Sequence, residues 1–252
     1  MIPANDDALR LLQLRLGAHK PFGAAERELL ASLPWRVEDM PARRSFVREG
    51  DKPKHSCLIL QGLLARARYT VEGQRQILSI HVPGDMPDLQ SLQVPHMDHD
   101  LETVVPSRIA FVPHAELRRV CDASPLLASS LWRESLIDAA LHRAAIFRNG
   151  QLEAEARLAH FLCEMYLRHK AVGLADDGGF DLALSQQLIG DVLGLTLVSI
   201  NKAMQALRAR ELIRMEKGHV DVLNWNSLSR LGQFDGAFLH LEEKDASLAA
   251  TG

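Results

Sequence analysis

The chain has 252 residues, of which 47% are hydrophobic and 24% charged, and a formal net charge of −3. That composition excludes a disordered or fibrous protein, and the length suits one large domain or two small ones. No apolar run approaches the roughly 18–20 residues that cross a bilayer. The N-terminus, Met1-Ile2-Pro3-Ala4-Asn5-Asp6-Asp7, is acidic where a secretion signal would be basic, so no membrane partner is expected and the location is expected to be cytoplasmic. Cys57, Cys121 and Cys163 are widely spaced and form no C-x-x-C pair, which points to reduced, buried thiols rather than disulfides or a zinc site.

In chain order, residues 5–33 show helical periodicity through Leu9, Leu12, Leu16, Leu29, Leu30 and Leu33. From Pro41 to Pro113 the pattern changes to short apolar runs: Leu58-Ile-Leu60, Leu63-Leu-Ala65, Ile77-Leu-Ser-Ile80 and Arg108-Ile-Ala-Phe-Val112. Turn residues at Gly50, Gly62, Gly73 and Gly84 separate them at 11- to 12-residue intervals, which predicts an antiparallel sandwich or barrel. Within this block His96-Met-Asp-His99-Asp100 has a spacing that would suit a metal, but no second ligand pair accompanies it and an acidic loop accounts for it.

After His114 the chain reads as helical. Ser124 is placed to cap a helix whose first residue is Pro125, with no glycine or proline until Asn149-Gly150 stops it. A second helix is predicted from Gln151 to Lys170, followed by a polar loop from Gly173 to Gly179. The long helix carries apolar residues on more than one face, and a helix lying on one domain needs only one apolar stripe. Leu127, Leu131, Ile137, Ala140, Leu141, Ala144 and Phe147 are therefore candidates for pairing with a second copy of the chain. Full burial within one subunit is the alternative.

Residues 182–223 are the most informative. A short helix from Gln186 to Leu193, a turn at Gly194 and a helix from Leu197 to Arg208 capped by Thr196 have the spacing of a DNA-binding helix-turn-helix. Glu211 to Leu223 alternates about Lys217-Gly218 and reads as a hairpin in the position of a wing. Lys202, Arg208, Arg210, Arg214 and Lys217 face only Glu211 and Glu216 in that segment, a local positive balance suited to phosphate.

With these parts in this order the chain resembles the Crp/Fnr superfamily of bacterial transcription regulators over almost its whole length. The phrases that carry the likeness are Arg48-Glu-Gly-Asp51, Leu58-Ile-Leu-Gln-Gly-Leu63, Glu72-Gly-Gln-Arg-Gln-Ile-Leu78, Val82-Pro-Gly-Asp85 and Leu193-Gly-Leu-Thr196. The resemblance implies an α+β chain. Its parts would be N-terminal helices with a cyclic-nucleotide-binding-type antiparallel double-stranded β-helix, or jelly-roll barrel, at 1–122, a dimerisation helix at 123–149 and a winged helix-turn-helix at 150–252. It also implies a homodimer that binds a pseudo-palindromic operator in double-stranded DNA and contacts RNA polymerase. Carried over by position, the DNA contacts are Ser185, Gln186, Gln187, Thr196, Leu197, Val198, Ser199, Asn201 and Lys202, with Arg208 and Lys217 as cations. Where many members place Arg and Glu, this chain has Leu197 and Val198, which suit thymine methyl groups.

The sensor departs from the nucleotide-binding pattern. Gly84, Asp85, Asp88, Leu89 and Ser91 mark the candidate effector pocket, yet no Lys or Arg occurs between Arg75 and Arg108, while Asp85, Asp88, Asp98, Asp100 and Glu102 do. That is a poor site for a phosphodiester. No cysteine precedes Cys57, against an iron–sulfur cluster, and His81 is the one candidate for a haem ligand. No cyclic nucleotide, haem, cluster or metal is expected. G-x-S-x-G, P-loop and H-E-x-x-H phrases are missing, so an enzyme is not expected either. The reading is a DNA-binding transcription regulator; the alternative is a regulatory module whose winged helix contacts protein.

Overall fold

The computed structural model describes residues 4–17, 21–176 and 178–241. Residues 1–3 of the acidic N-terminal phrase, residue 177 of the predicted loop and residues 242–252 of the predicted C-terminal domain lie outside them. The chain divides into two compact units, Met1–Ala139 and Ala140–Gly252. The boundary falls inside the long helix, whereas the sequence set that helix apart as a segment of its own.

In the N-terminal unit, helices α1 (Ala4–Gly17) and α2 (Ala24–Ala31) precede seven strands. These are β1 (Arg36–Met40), β2 (Ser45–Val47), β3 (His55–Gln61), β4 (Leu64–Tyr69), β5 (Arg75–His81), β6 (Asp100–Thr103) and β7 (Ser107–Pro113). They form two antiparallel sheets with orders β1-β7-β3 and β2-β6-β4-β5. The strand block starts at Arg36 rather than Pro41. β1 is a charged, half-exposed edge strand, so it lacks the apolar run by which the other strands announce themselves.

Strands β3 and β7 bury both faces, and side-chain alternation divides them between two cores. Cys57, Ile59, Ile109 and Phe111 point into the barrel with Val47, Leu64, Met97 and Leu101. Leu58, Ala110 and Val112 point outward under a helical layer containing Leu12, Leu16, Leu30, Leu117 and Leu127. Leu117 belongs to α3 (His114–Ala123), and Leu127 to the long helix α4 (Pro125–Gln151). Ser124 caps α4 as the sequence predicts, its hydroxyl accepting the Leu127 amide at 3.4 Å. The helix nevertheless runs through Asn149-Gly150 for a total of 27 residues. Glycine inside a helix costs only about 1 kcal/mol, and the last turn is fastened by Asn149 donating to the Val192 carbonyl at 3.1 Å.

Five of the predicted pairing residues on α4 are buried in the chain itself. Leu127 and Leu131 belong to the helix-side core of the N-terminal unit. Ile137, Ala140 and Leu141 are also buried, Ala144 is half-buried, and only Phe147 is exposed. The exposed apolar side chains are instead Trp132, Leu136, Ile146 and Phe147. Trp132 and Leu136 are about one turn apart and Ile146 about three turns further on, so they share one face.

The C-terminal unit continues with α5 (Ala154–Lys170), β8 (Gly179–Asp181), α6 (Gln186–Leu193), α7 (Leu197–Ala209), β9 (Ile213–Glu216), β10 (His219–Val222) and α8 (Trp225–Leu231). Helix α5 begins at Ala154, not Gln151, and its residues 158–169 are all buried, including His160, Glu164, Arg168 and His169. The wing is a three-stranded sheet of order β8-β10-β9. Its third strand, β8, comes from the end of the predicted polar loop.

Candidate nucleic-acid interface

The two helices of the motif are built by short local signals. Ser185 caps α6, its Oγ accepting the Leu188 amide at 3.2 Å, and Thr196 caps α7, its Oγ1 accepting the Ser199 amide at 3.2 Å. Between them Gly194 takes the left-handed conformation at φ 62°, which a glycine adopts without strain. A Cβ on Gly190 would come within 2.7 Å of the Leu195 carbonyl oxygen, so the two helices approach only because that side chain is missing.

Helix α7 buries Ile200, Ala203, Met204 and Leu207, leaving the opposite face to solvent. Leu197 and Val198 are exposed by 43% and 63%, unusual for apolar residues at a helix start and consistent with an apolar contact there. Lys202 is exposed, and Asn201 and Ser199 are half-buried. Gln205, which sequence reasoning passed over, is exposed on the same face at i+3 from Lys202 and i+4 from Asn201. Its side-chain amide is of the type that reads adenine. On α6, Gln187 is exposed and donates to Asp191 at 3.0 Å, while Gln186 is half-buried.

The five cations of this region are not equivalent. Arg208 donates to the Met215 carbonyl at 3.0 Å, joining α7 to the hairpin. Arg210 pairs with Glu155 at 3.1 Å and Arg214 with Asp221 at 2.9 Å. Among the described residues Lys202 and Lys217 make no ion pair. Lys217 sits at the tip of the wing with φ 48°, followed by Gly218 at φ 85°, a turn that matches the twist of the hairpin.

Comparison with known proteins agrees with this geometry. Residues 156–231 match the Crp-like helix-turn-helix domain, and residues 37–124 match the cyclic nucleotide-binding domain. The chain belongs to the Crp/Fnr superfamily. It is 24% identical over 216 residues to the fumarate and nitrate reduction regulatory protein of Vibrio cholerae, covering 84% of this chain and 85% of that one. It is 24% identical over 191 residues to the transcriptional activator protein anr of Pseudomonas aeruginosa, covering 75% and 78%. The solved structure of FixK2 from Bradyrhizobium japonicum shares the fold, with a TM-score of 0.71, 23% identity and coverage of 79% of this chain and 98% of that one. This member of the superfamily is thus a DNA-binding transcription regulator. Among its described residues no helix is long and apolar enough to cross a membrane.

In the cyclic-nucleotide-type unit of this Crp/Fnr chain, the five predicted effector residues serve the fold. Gly84 donates its amide to the Ile59 carbonyl at 2.8 Å. Asp85 accepts the Val82 amide at 3.0 Å, and Asp88 accepts the Cys57 amide at 2.8 Å. Leu89 lies in the helix-side core, and Ser91 shares a hydrogen bond with His114 Nε2 at 3.1 Å. A cavity of about 330 Å³ does open in this unit, with Arg36, Phe46, Lys52, His55 and Phe111 in its wall, but of the five residues only Asp88 lines it.

The segment without cations receives arginines from elsewhere in the chain, among them Arg75, which pairs with Glu102 at 2.8 Å. Arg15 of α1 pairs with Glu134 at 2.7 Å and with Asp85 at 3.5 Å. Arg66 of β4 pairs with Asp138 at 2.6 Å and donates Nε to the Pro87 carbonyl at 3.0 Å. His81, the haem candidate, is 2% exposed and shares a hydrogen bond with Ser79 at 2.8 Å. Burial, with the Arg66 charge, lowers its pKa to about 4, so it is neutral. Cys57 and Cys163 are buried, Cys121 is half-buried, and all three are free thiols. Among the described residues no group of His, Cys, Asp and Glu is arranged to hold a metal.

Proposed function

We propose that the protein is a homodimeric, sequence-specific transcription regulator, not an enzyme, which binds a pseudo-palindromic operator in the cytoplasm and contacts RNA polymerase there. The observation that carries the operator reading is the exposed start of α7, where Leu197, Val198, Lys202 and Gln205 stand clear of the protein, with the half-buried Asn201 among them, beside a wing tipped by Lys217. That face offers apolar, amide and cationic groups at the spacing of successive base edges and phosphates. Homodimerisation is supported by the exposed stripe Trp132, Leu136, Ile146 and Phe147 on α4, since a two-fold pair of helices would cover it.

The sensor unit, in this reading, takes no cyclic nucleotide. Its two inward arginines, Arg15 and Arg66, already face Asp85, Glu134 and Asp138. A phosphodiester would have to displace those carboxylates and leave them unpaired in a buried place, at a cost of several kcal/mol. Selection of duplexes from a random library by the full chain, followed by footprinting, tests the operator reading. A protected site with two inverted half-sites about one helical turn apart is the expected result. Uniform, salt-sensitive binding with no selected sequence would overturn it in favour of a winged helix that contacts protein. Titration with cyclic AMP and cyclic GMP should produce no saturable heat, and micromolar binding would refute the sensor reading.

A further inference from the structure

The turn of the helix-turn-helix is held from outside the motif. An α-helix leaves its last carbonyls without intrahelical partners. At the end of α6 two of these, on the buried residues Val192 and Leu193, are taken by side chains from α4 and α5. Asn149 Nδ2, in the last turn of α4, donates to the Val192 carbonyl at 3.1 Å. Arg157 NH1, in the first turn of α5, donates to the Leu193 carbonyl at 2.8 Å. The same guanidinium donates to the Leu152 carbonyl through Nε at 3.1 Å and NH2 at 2.9 Å, and Leu152 lies in the two-residue link between α4 and α5.

The bridge is itself braced. Asn149 Oδ1 accepts Arg148 Nε at 3.1 Å, and Arg148 is fixed by Glu164 at 2.9 Å. Glu164 also accepts Arg168 at 3.0 Å. The arginine fork presents its donors in one rigid plane, so a single side chain ties three backbone segments at a defined angle. Its charge beside the C-terminus of α6 also complements the helix dipole. Gly194 follows the clamped Leu193 carbonyl directly, and α7 begins three residues later at Leu197.

We propose that Asn149 and Arg157 are positioning residues for the DNA-reading helix: by clamping the end of α6 to the α4–α5 link they set the direction in which α7 leaves the turn. The inference rests on the operator reading above. Base readout needs side chains placed to within about 0.5 Å. Contact with phosphate alone is far more tolerant of a tilt, because it is carried by charge rather than by register. Loss of the clamp should therefore separate the two kinds of binding.

The test compares the full wild-type chain with Arg157→Ala, Arg157→Lys and Asn149→Asp on a selected operator duplex and on a scrambled duplex of equal length. Asn149→Asp keeps the volume and the contact with Arg148 but replaces the donor to Val192 by an acceptor. Arg157→Ala and Asn149→Asp should lose on the order of tenfold in operator affinity. Affinity for scrambled DNA and its salt dependence should stay at the wild-type level. Arg157→Lys, whose ammonium can reach one of the two carbonyls, should recover part of the loss. Amide exchange at residues 195–199 in the free protein should quicken in Arg157→Ala while that of 158–168 does not. Unchanged operator affinity in the folded variants, or a parallel loss on both duplexes, would overturn the proposal. If the wild-type chain selects no operator, the DNA reading itself falls. If it selects one and exchange at 195–199 is unaltered in Arg157→Ala, the clamp alone is refuted.

Discussion

A methyl group added at Gly190 would meet the Leu195 carbonyl oxygen at 2.7 Å and Ile200 Cγ1 at 3.5 Å. Backbone cannot yield as a flexible side chain can, so Gly190→Ala should destabilise the C-terminal unit by about 1–3 kcal/mol, measured as a lower urea midpoint. Lys202, exposed and without an ion pair among the described residues, is a different kind of residue. Lys202→Ala should leave the midpoint alone, weaken DNA binding by about 1–3 kcal/mol and reduce the salt slope by about one. Gel shifts across salt concentrations would show it, and an unaltered slope would remove Lys202 from the phosphate contacts. At this scale the motif was legible, because caps, a turn glycine and an i, i+3, i+4, i+7 apolar pattern are local signals. Gln205 was passed over although the same periodicity pointed to it. Arg157 and Asn149 carried no local signal for this role, since the α6 carbonyls they hold lie more than thirty residues away in the chain.

Helix α4 shows the limit of reading an element from its pattern. Apolar residues on more than one face say that the helix has more than one apolar side, but the pattern does not say what each side meets. The chain's own core claims Leu127 and Leu131. The apolar residues left exposed are Trp132, Leu136, Ile146 and Phe147. These two sets predict opposite outcomes. Trp132→Glu or Ile146→Glu should reduce the mass measured by light scattering to that of one chain at unchanged helix content. Leu127→Ala should lower stability by about 2–5 kcal/mol and leave the mass as it is. A monomeric wild type would dispose of the pairing face altogether. Strand β1 teaches a related lesson, because its sequence Arg36–Met40 is mostly charged, yet it pairs with β7 in full register and lays Arg36 over the Phe111 ring at 5.1 Å.

For the molecule as a whole, the stretch without cations was a true statement about sequence and an incomplete one about space. Arg15 and Arg75 reach its Asp85 and Glu102 from outside it, Arg66 donates to its Pro87 carbonyl, and only the folded chain reveals these partners. Asp88 sits among them with one proton to account for. Burial raises its pKa from 3.8 to about 7, so between those values the folded chain holds a proton that the unfolded chain has shed. Its contribution to stability is full at low pH and is lost as pH rises towards 7. His81, lowered from 6.5 to about 4 by burial and then by the Arg66 charge, works in the opposite sense. Its contribution is full above 6.5 and is lost as pH falls towards 4. Across that shared window the two effects oppose each other in the wild type. Asp88→Asn, which can still accept the Cys57 amide, removes one of them. Its stability relative to wild type should climb from pH 4 to pH 8 by on the order of 4 kcal/mol at most. Urea titrations at both pH values measure the difference, and a pH-independent difference would mean that Asp88 stays ionised.

Beneath the DNA-reading motif, Glu164 stands between Arg148 and Arg168 with all three side chains buried. Deleting one member of such a group strands a charge and costs about 3–5 kcal/mol, whereas replacing the whole group by apolar side chains of equal volume can be neutral. Mutational routes through these positions are therefore closed one step at a time and open only to concerted change. Asn149, oriented by Arg148, depends on the same trio for its place in the clamp.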